Sequence, residues 1–118
     1  MWIMSRIGFF SVVAHRDDPA LVLVRARDLD QLKRLSAENP TGPFEIVATP
    51  LADYPVRTTL TKERFETIAA WMARSIDYDN FKNSVHADPD CSEDYHDFLG
   101  KVWSAGRRMS RGDDRISR

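Results

Sequence analysis

Six consecutive residues, Asp77-Tyr78-Asp79-Asn80-Phe81-Lys82, place two carboxylates, an amide, an ammonium, a phenol and a phenyl ring in one short stretch. A plain loop has no need of this mixture, and burying it is costly. The stretch therefore reads as a binding surface, extended by Tyr54 and Arg57 from the segment that leads into a later strand. Aromatic residues and arginine are the types enriched where interfaces concentrate their binding energy. The competing reading is structural. Tyr78 and Phe81 would then pack under the sheet while Asp79 and Asn80 cap the following turn.

Three other groups carry candidate chemistry. His15-Arg16-Asp17-Asp18 has a base next to carboxylates that would orient it, as hydrolytic catalysis requires. Adjacent aspartates before Pro19 also make an ordinary tight turn, and no Ser or Cys nucleophile sits in a recognisable motif. His86, Asp88, Asp90 and His96 offer a mixed oxygen and imidazole set for a metal. The set lacks the EF-hand glycine and the zinc-protease spacing, so a solvated acidic loop with Asp90 capping the next helix is the expectation, with no metal and no cofactor. Arg25, Arg27 and Arg57 would line one surface of a sheet, where Phe9 or Phe10 would stack on the bases of a nucleic acid. Pairing of these arginines with Asp53, Glu45 or the acidic loop is the plainer alternative.

Composition narrows the classes. A chain of 118 residues, 42% hydrophobic and 30% charged, is long enough for one domain with a real core. A net charge of -1 gives no global attraction to nucleic acid or to a membrane surface. Charge is nevertheless uneven. Residues 77–97 hold seven acids against Lys82 alone, whereas residues 101–118 hold six basic residues against Asp113 and Asp114. A single cysteine, Cys91, excludes an internal disulfide and a cysteine-rich metal site, which suits the cytoplasm. No apolar run reaches membrane-spanning length, and Met1 to Arg6 is too short for a signal segment.

The elements that must position these groups follow from periodicity. Ile7 to Ala14 and Ala20 to Arg27 read as two strands of a hairpin. Alternation places Leu21, Leu23, Arg25 and Arg27 on one face, with Val22, Val24 and Ala26 on the other. Asp28 and Gln31 have capping-box spacing, and Leu29, Leu32 and Leu35 would face the sheet from a short helix ending near Asn39. Phe44 to Thr49 and Val56 to Leu60 read as two more strands. Thr61 caps a helix whose stripe is Phe65, Ile68, Ala69, Met72 and Ile76. Asp90 and Glu93 open a last helix carrying Tyr95, Phe98, Leu99, Val102 and Trp103, weakened at Gly106. The expected core is Phe10, Val12, Val22, Val24, Ile46, Phe65, Ile68, Ala69, Met72 and Ile76. The fold class is α+β: a four-stranded, mainly antiparallel sheet in ββαββα order, ferredoxin-like or permuted, or a plain ββα repeat. Helices cover one face, and an additional C-terminal helix follows. One domain spans 1–109, and a basic tail, 110–118, is expected to be disordered.

Several motifs in fixed order, Gly8-Phe9-Phe10-Ser11, Arg16-Asp17-Asp18-Pro19, Leu23-Val24-Arg25-Ala26-Arg27, Ala52-Asp53-Tyr54-Pro55 and Tyr78-Asp79-Asn80-Phe81-Lys82, are shared with a known group. On these the chain resembles a family of small uncharacterised bacterial and bacteriophage proteins over residues 1 to about 103. The resemblance brings no established activity. Through its phage members it implies an accessory or anti-defence role.

The functional expectation is a non-enzymatic, cytoplasmic module that binds a protein partner and no membrane. Its candidate binding residues are Tyr54, Arg57, Tyr78, Asp79, Asn80, Lys82, Arg25 and Arg27, with no catalytic residue. A sheet that binds nucleic acid is the alternative, and a small hydrolase using His15 is the third.

Overall fold

A computed structural model describes residues 1–110, so the tail expected to be disordered lies outside the described residues except for Ser110, which ends the last helix. The chain forms two compact units, Met1–Tyr78 and Asp79–Arg118. It is an α+β protein built on an antiparallel sheet.

The first unit holds β1 (Trp2–Met4), β2 (Phe9–Ala14), β3 (Leu21–Ala26), α1 (Leu29–Glu38), β4 (Val47–Ala48), β5 (Val56–Thr61) and α2 (Lys62–Arg74). Its strands pair in the order β1-β2-β3-β5-β4, every neighbour antiparallel. β3 and β5 meet at the centre, each the second strand of a hairpin and each followed by a helix. The expected four strands and ferredoxin-like order are thus not matched as such, because β1 adds a fifth strand at the edge. Ser5 makes this possible. Its Oγ accepts from the Ile7 and Gly8 amides and its own amide donates to the Gly8 carbonyl, which folds Trp2–Met4 back onto β2. Gly8 is needed beside this turn because a Cβ there would collide with the Gln31 side chain of α1.

Alternation along the strands separates two faces. Phe10, Val12, Val22, Val24, Ala26, Val56 and Leu60 point to the side on which Leu32 and Leu35 of α1 and Phe65 and Ile68 of α2 complete the core. Ile46, Ala69 and Met72 pack at its margin. Ile76 does not belong to it. α2 ends at Arg74, so the helical stripe stops one step short, and Ile76 is 60% exposed. Leu29, also assigned to the sheet side, is exposed at the first position of α1.

Caps bound the helices. Asp28 Oδ1 accepts from the Asp30 and Gln31 amides, and Thr61 Oγ1 accepts from Arg64. Only half of the expected capping box forms, since Gln31 Oε1 instead takes the Phe9 amide at 2.9 Å and so ties α1 to the start of β2. The expected strand from Phe44 to Thr49 shrinks to Val47–Ala48 for a similar reason. Ser36 Oγ binds both backbone groups of Phe44, and the Arg64 guanidinium takes the carbonyls of Thr41, Gly42 and Pro43. Buried Asn39 completes this corner, donating to Leu35, Ser36 and Gly42 carbonyls and accepting from Thr41.

The second unit is a pair of helices, α3 (Phe81–Ala87) and α4 (Glu93–Ser110), with Val85, Tyr95 and Leu99 buried. Ser92 caps α4 through the Tyr95 amide at 3.2 Å, replacing the expected cap Asp90, whose amide instead closes a turn on Asp88. Gly106 does not break α4, which continues to Ser110. Among the described residues, no helix is long and apolar enough to cross a membrane.

Candidate functional site

The face of the sheet opposite α1 and α2 carries the polar chemistry of the first unit. Register places Trp2 opposite Ser11, Ser11 opposite Arg25, Arg25 opposite Arg57, and Arg57 opposite Val47. One row of five side chains therefore crosses all five strands, spanning roughly 19 Å at the usual strand spacing. Its ends are exposed and apolar, Trp2 at 67% and Val47 at 50%. Its centre is a pair of half-buried arginines, Arg25 and Arg57.

Tyr54 lies over this centre. The Arg25 guanidinium is 4.6 Å from its ring centroid and that of Arg27 is 5.0 Å away. Phe9 flanks the same ring at 6.3 Å and makes an edge contact with Trp2 at 5.7 Å. Tyr54 reaches this position because Thr49 Oγ1 donates to its carbonyl and the Thr49 amide donates to Pro55, which folds residues 49–55 back on themselves.

Each central arginine is partly used by the protein. Arg25 Nη2 donates to Ser11 Oγ at 2.7 Å, and Ser11 is buried. Arg57 Nη2 donates to the Tyr54 carbonyl at a long 3.4 Å. The Nε atoms of both Arg25 and Arg57 are buried without a hydrogen-bond partner. Among the described residues, no carboxylate forms an ion pair with Arg25, Arg27 or Arg57, so the expected pairing with Asp53 or Glu45 does not occur. Two arginines thus occupy opposed positions on adjacent strands, partly removed from water and, among the described residues, without an ion-pair partner. Each condition is unfavourable.

Of the eight residues singled out in the sequence, Arg25, Arg27, Tyr54 and Arg57 come together here. Tyr78 follows the end of α2, and Asp79, Asn80 and Lys82 belong to the second unit. Tyr78 sits below Arg6, whose guanidinium is 5.3 Å from its ring, pairs with Asp77 at 3.0 Å and donates to the Ser75 carbonyl. These contacts close the C-terminal end of α2. In the second unit, Asn80 caps α3 by accepting from the Asn83 amide, and Asp79 precedes it in an exposed position. Lys82 Nζ stands 4.4 Å over the Trp103 ring, which Arg107 also approaches. Phe81 is half-buried at the start of α3.

Sequence reasoning missed Ser11 and Trp2. Ser11 was detectable, since hairpin alternation puts it on the arginine face. Trp2 was hidden in a strand of only three residues.

The remaining constellations are accounted for locally. His15 Nδ1 accepts from the Asp17 and Asp18 amides, and Asp18 Oδ1 accepts from Ala20, so these residues build the β2–β3 turn. The His86 and His96 rings lie 5.0 Å apart, with His96 Nε2 at 3.0 Å from the Val85 carbonyl. Among the described residues, no three His, Cys, Asp or Glu side chains converge as metal ligands. A cavity of about 100 Å³ lined by Arg6, Trp71, Met72, Ser75 and Tyr78 is smaller than the usual small-molecule site. No family model, curated protein or solved structure matches the chain.

Proposed function

We propose that the chain is a non-enzymatic protein-binding module, and that Arg25, Arg27 and Arg57, on the face of the first unit's sheet opposite α1 and α2 and packed against the buried Tyr54, are its contact surface. The observation that carries this reading is the Arg25–Arg57 pair: two half-buried arginines at opposed register positions, each with a buried Nε that lacks a partner and neither ion-paired among the described residues. Unpaired buried donors and like charges at opposed positions are costly to the free protein, and acceptors brought to the outer nitrogens would offset part of that cost. A partner's acceptors would meet the outer guanidinium donors in a site already stripped of some water, where charged hydrogen bonds are stronger than on an open surface.

The surroundings favour a protein over a nucleic acid. The two rings expected to stack on bases are withdrawn, since Phe10 is fully buried on the helix side and Phe9 is 6% exposed. The accessible ring on the row is Trp2, a residue type common in protein hot spots.

Affinity capture from nuclease-treated lysate, followed by calorimetry with the purified partner, tests the reading. Arg25→Ala and Arg57→Ala should each weaken binding by about 2 kcal/mol, the scale of a hot-spot truncation. Unchanged affinity in the folded double variant, or recovery that depends on nucleic acid, would contradict it.

A further inference from the structure

On the reading that the sheet face is a protein contact surface, we infer that its occupant is an acidic segment of another protein, with apolar side chains flanking its carboxylates. The row that crosses the sheet has this complementary pattern: exposed Trp2, then the Arg25–Arg57 pair, then exposed Val47. The side-chain cations on the face or beside it are Arg25, Arg27 and Arg57; Lys33 and Lys62 belong to helices. Arginine offers a planar fork that matches a carboxylate in two parallel hydrogen bonds. Ser11 and Tyr54 hold the forks in place, Ser11 by accepting from Arg25 Nη2 and Tyr54 by lying against the Arg25 guanidinium and accepting from Arg57 through its carbonyl. The fork therefore loses little freedom on binding, which favours affinity. A phosphodiester chain suits the face less well. Its affinity grows with the number of phosphates neutralised, and three arginines clustered around one tyrosine supply few such contacts.

The test uses the full chain and fluorescence anisotropy with labelled probes. The first is a short peptide with two central glutamates flanked by leucines. Its counterparts carry glutamine for glutamate, or alanine for leucine, and the last probe is a single-stranded thymidine oligonucleotide. The Leu-Glu-Glu-Leu peptide should bind, with affinity falling as salt rises. Either replacement should weaken it about tenfold. Arg25→Ala and Arg57→Ala should abolish binding, and charge-retaining Arg57→Lys should weaken it, whereas Lys33→Ala on exposed α1 surface should not. Circular-dichroism melts establish that each variant is folded.

Equal binding of the glutamine peptide, or tighter binding of the oligonucleotide, overturns the inference. So does self-association that disappears when Asp90, Glu93, Asp94 and Asp97 are neutralised, which would assign the face to a second copy. If the peptides fail while a purified partner still binds through Arg25 and Arg57, the acidic occupant is wrong and the contact surface stands. If that arginine dependence is absent too, both fall.

Discussion

Replacing Arg57 by valine should stabilise the protein while destroying the proposed surface. Three changes contribute. The variant removes a buried Nε without a partner, an arrangement that costs about 1–3 kcal/mol when the donor is fully desolvated. It removes a like charge directly opposite Arg25, worth about 0.2–1 kcal/mol. Against these, it loses the 3.4 Å hydrogen bond to the Tyr54 carbonyl, at most about 0.5 kcal/mol at that length, and part of the packing of the arginine stem. Valine restores much of that packing, because a β-branched side chain suits a central strand beside Val47. The net expectation is a gain of about 1 kcal/mol. Urea unfolding should show a higher midpoint with an unchanged slope. Added salt should stabilise the wild type more than the variant, since it screens the repulsion that only the wild type contains. A loss of about 1 kcal/mol or more at constant slope would refute the reasoning. Arg57 would then be a structural tie, and its burial would need no partner to explain it.

Other variants separate the scaffold from the site. Ile68→Ala should cost about 2–5 kcal/mol in urea unfolding, because Ile68 is fully buried between α2 and the sheet. Asn39→Ala should cost about 2–4 kcal/mol, since it orphans the Ser36 carbonyl and the Thr41 amide, while Leu35 keeps the Asn39 backbone amide and Gly42 keeps Arg64; a loss below about 1 kcal/mol would show that water replaces the side chain. Asn80→Ala removes the α3 cap and should lower stability by about 1 kcal/mol while leaving partner affinity unchanged, measured by thermal melts beside calorimetry.

Much of the first unit was legible because its signals are local. Alternation in Leu21 to Arg27 and Val56 to Leu60 placed the arginines on one side and the valines on the other, and Asp28 and Thr61 marked two helix starts. What escaped depends on contacts distant in sequence. The strand expected at Phe44 shortened because Ser36 and Arg64 took its backbone groups. Three residues of β1 carry too little pattern to be recognised, and the seven of α3 bury only Val85. The site was half legible for the same reason. Its residues could be assigned to a face, but the direct opposition of Arg25 and Arg57 is a matter of register, which turn geometry and packing decide. The Asp77–Lys82 segment read equally as an interface or as a structural cap, and local contacts engage part of it: Arg6 meets Asp77 and Tyr78, and Asn80 caps α3.

The most direct test of the sheet face as contact surface is a heteronuclear NMR titration of the full chain with the Leu-Glu-Glu-Leu peptide. Both the backbone amides and the arginine Nε–H groups should be followed. The side-chain signals of Arg25 and Arg57 should be visible and slow to exchange in the free protein, because their Nε atoms are buried. On titration these signals, with the amides of Ser11, Arg25, Tyr54 and Arg57, should shift together and saturate. Shifts confined to Asn80, Lys82 and Trp103, with β3 and β5 silent, would contradict the account and return the search to the second unit.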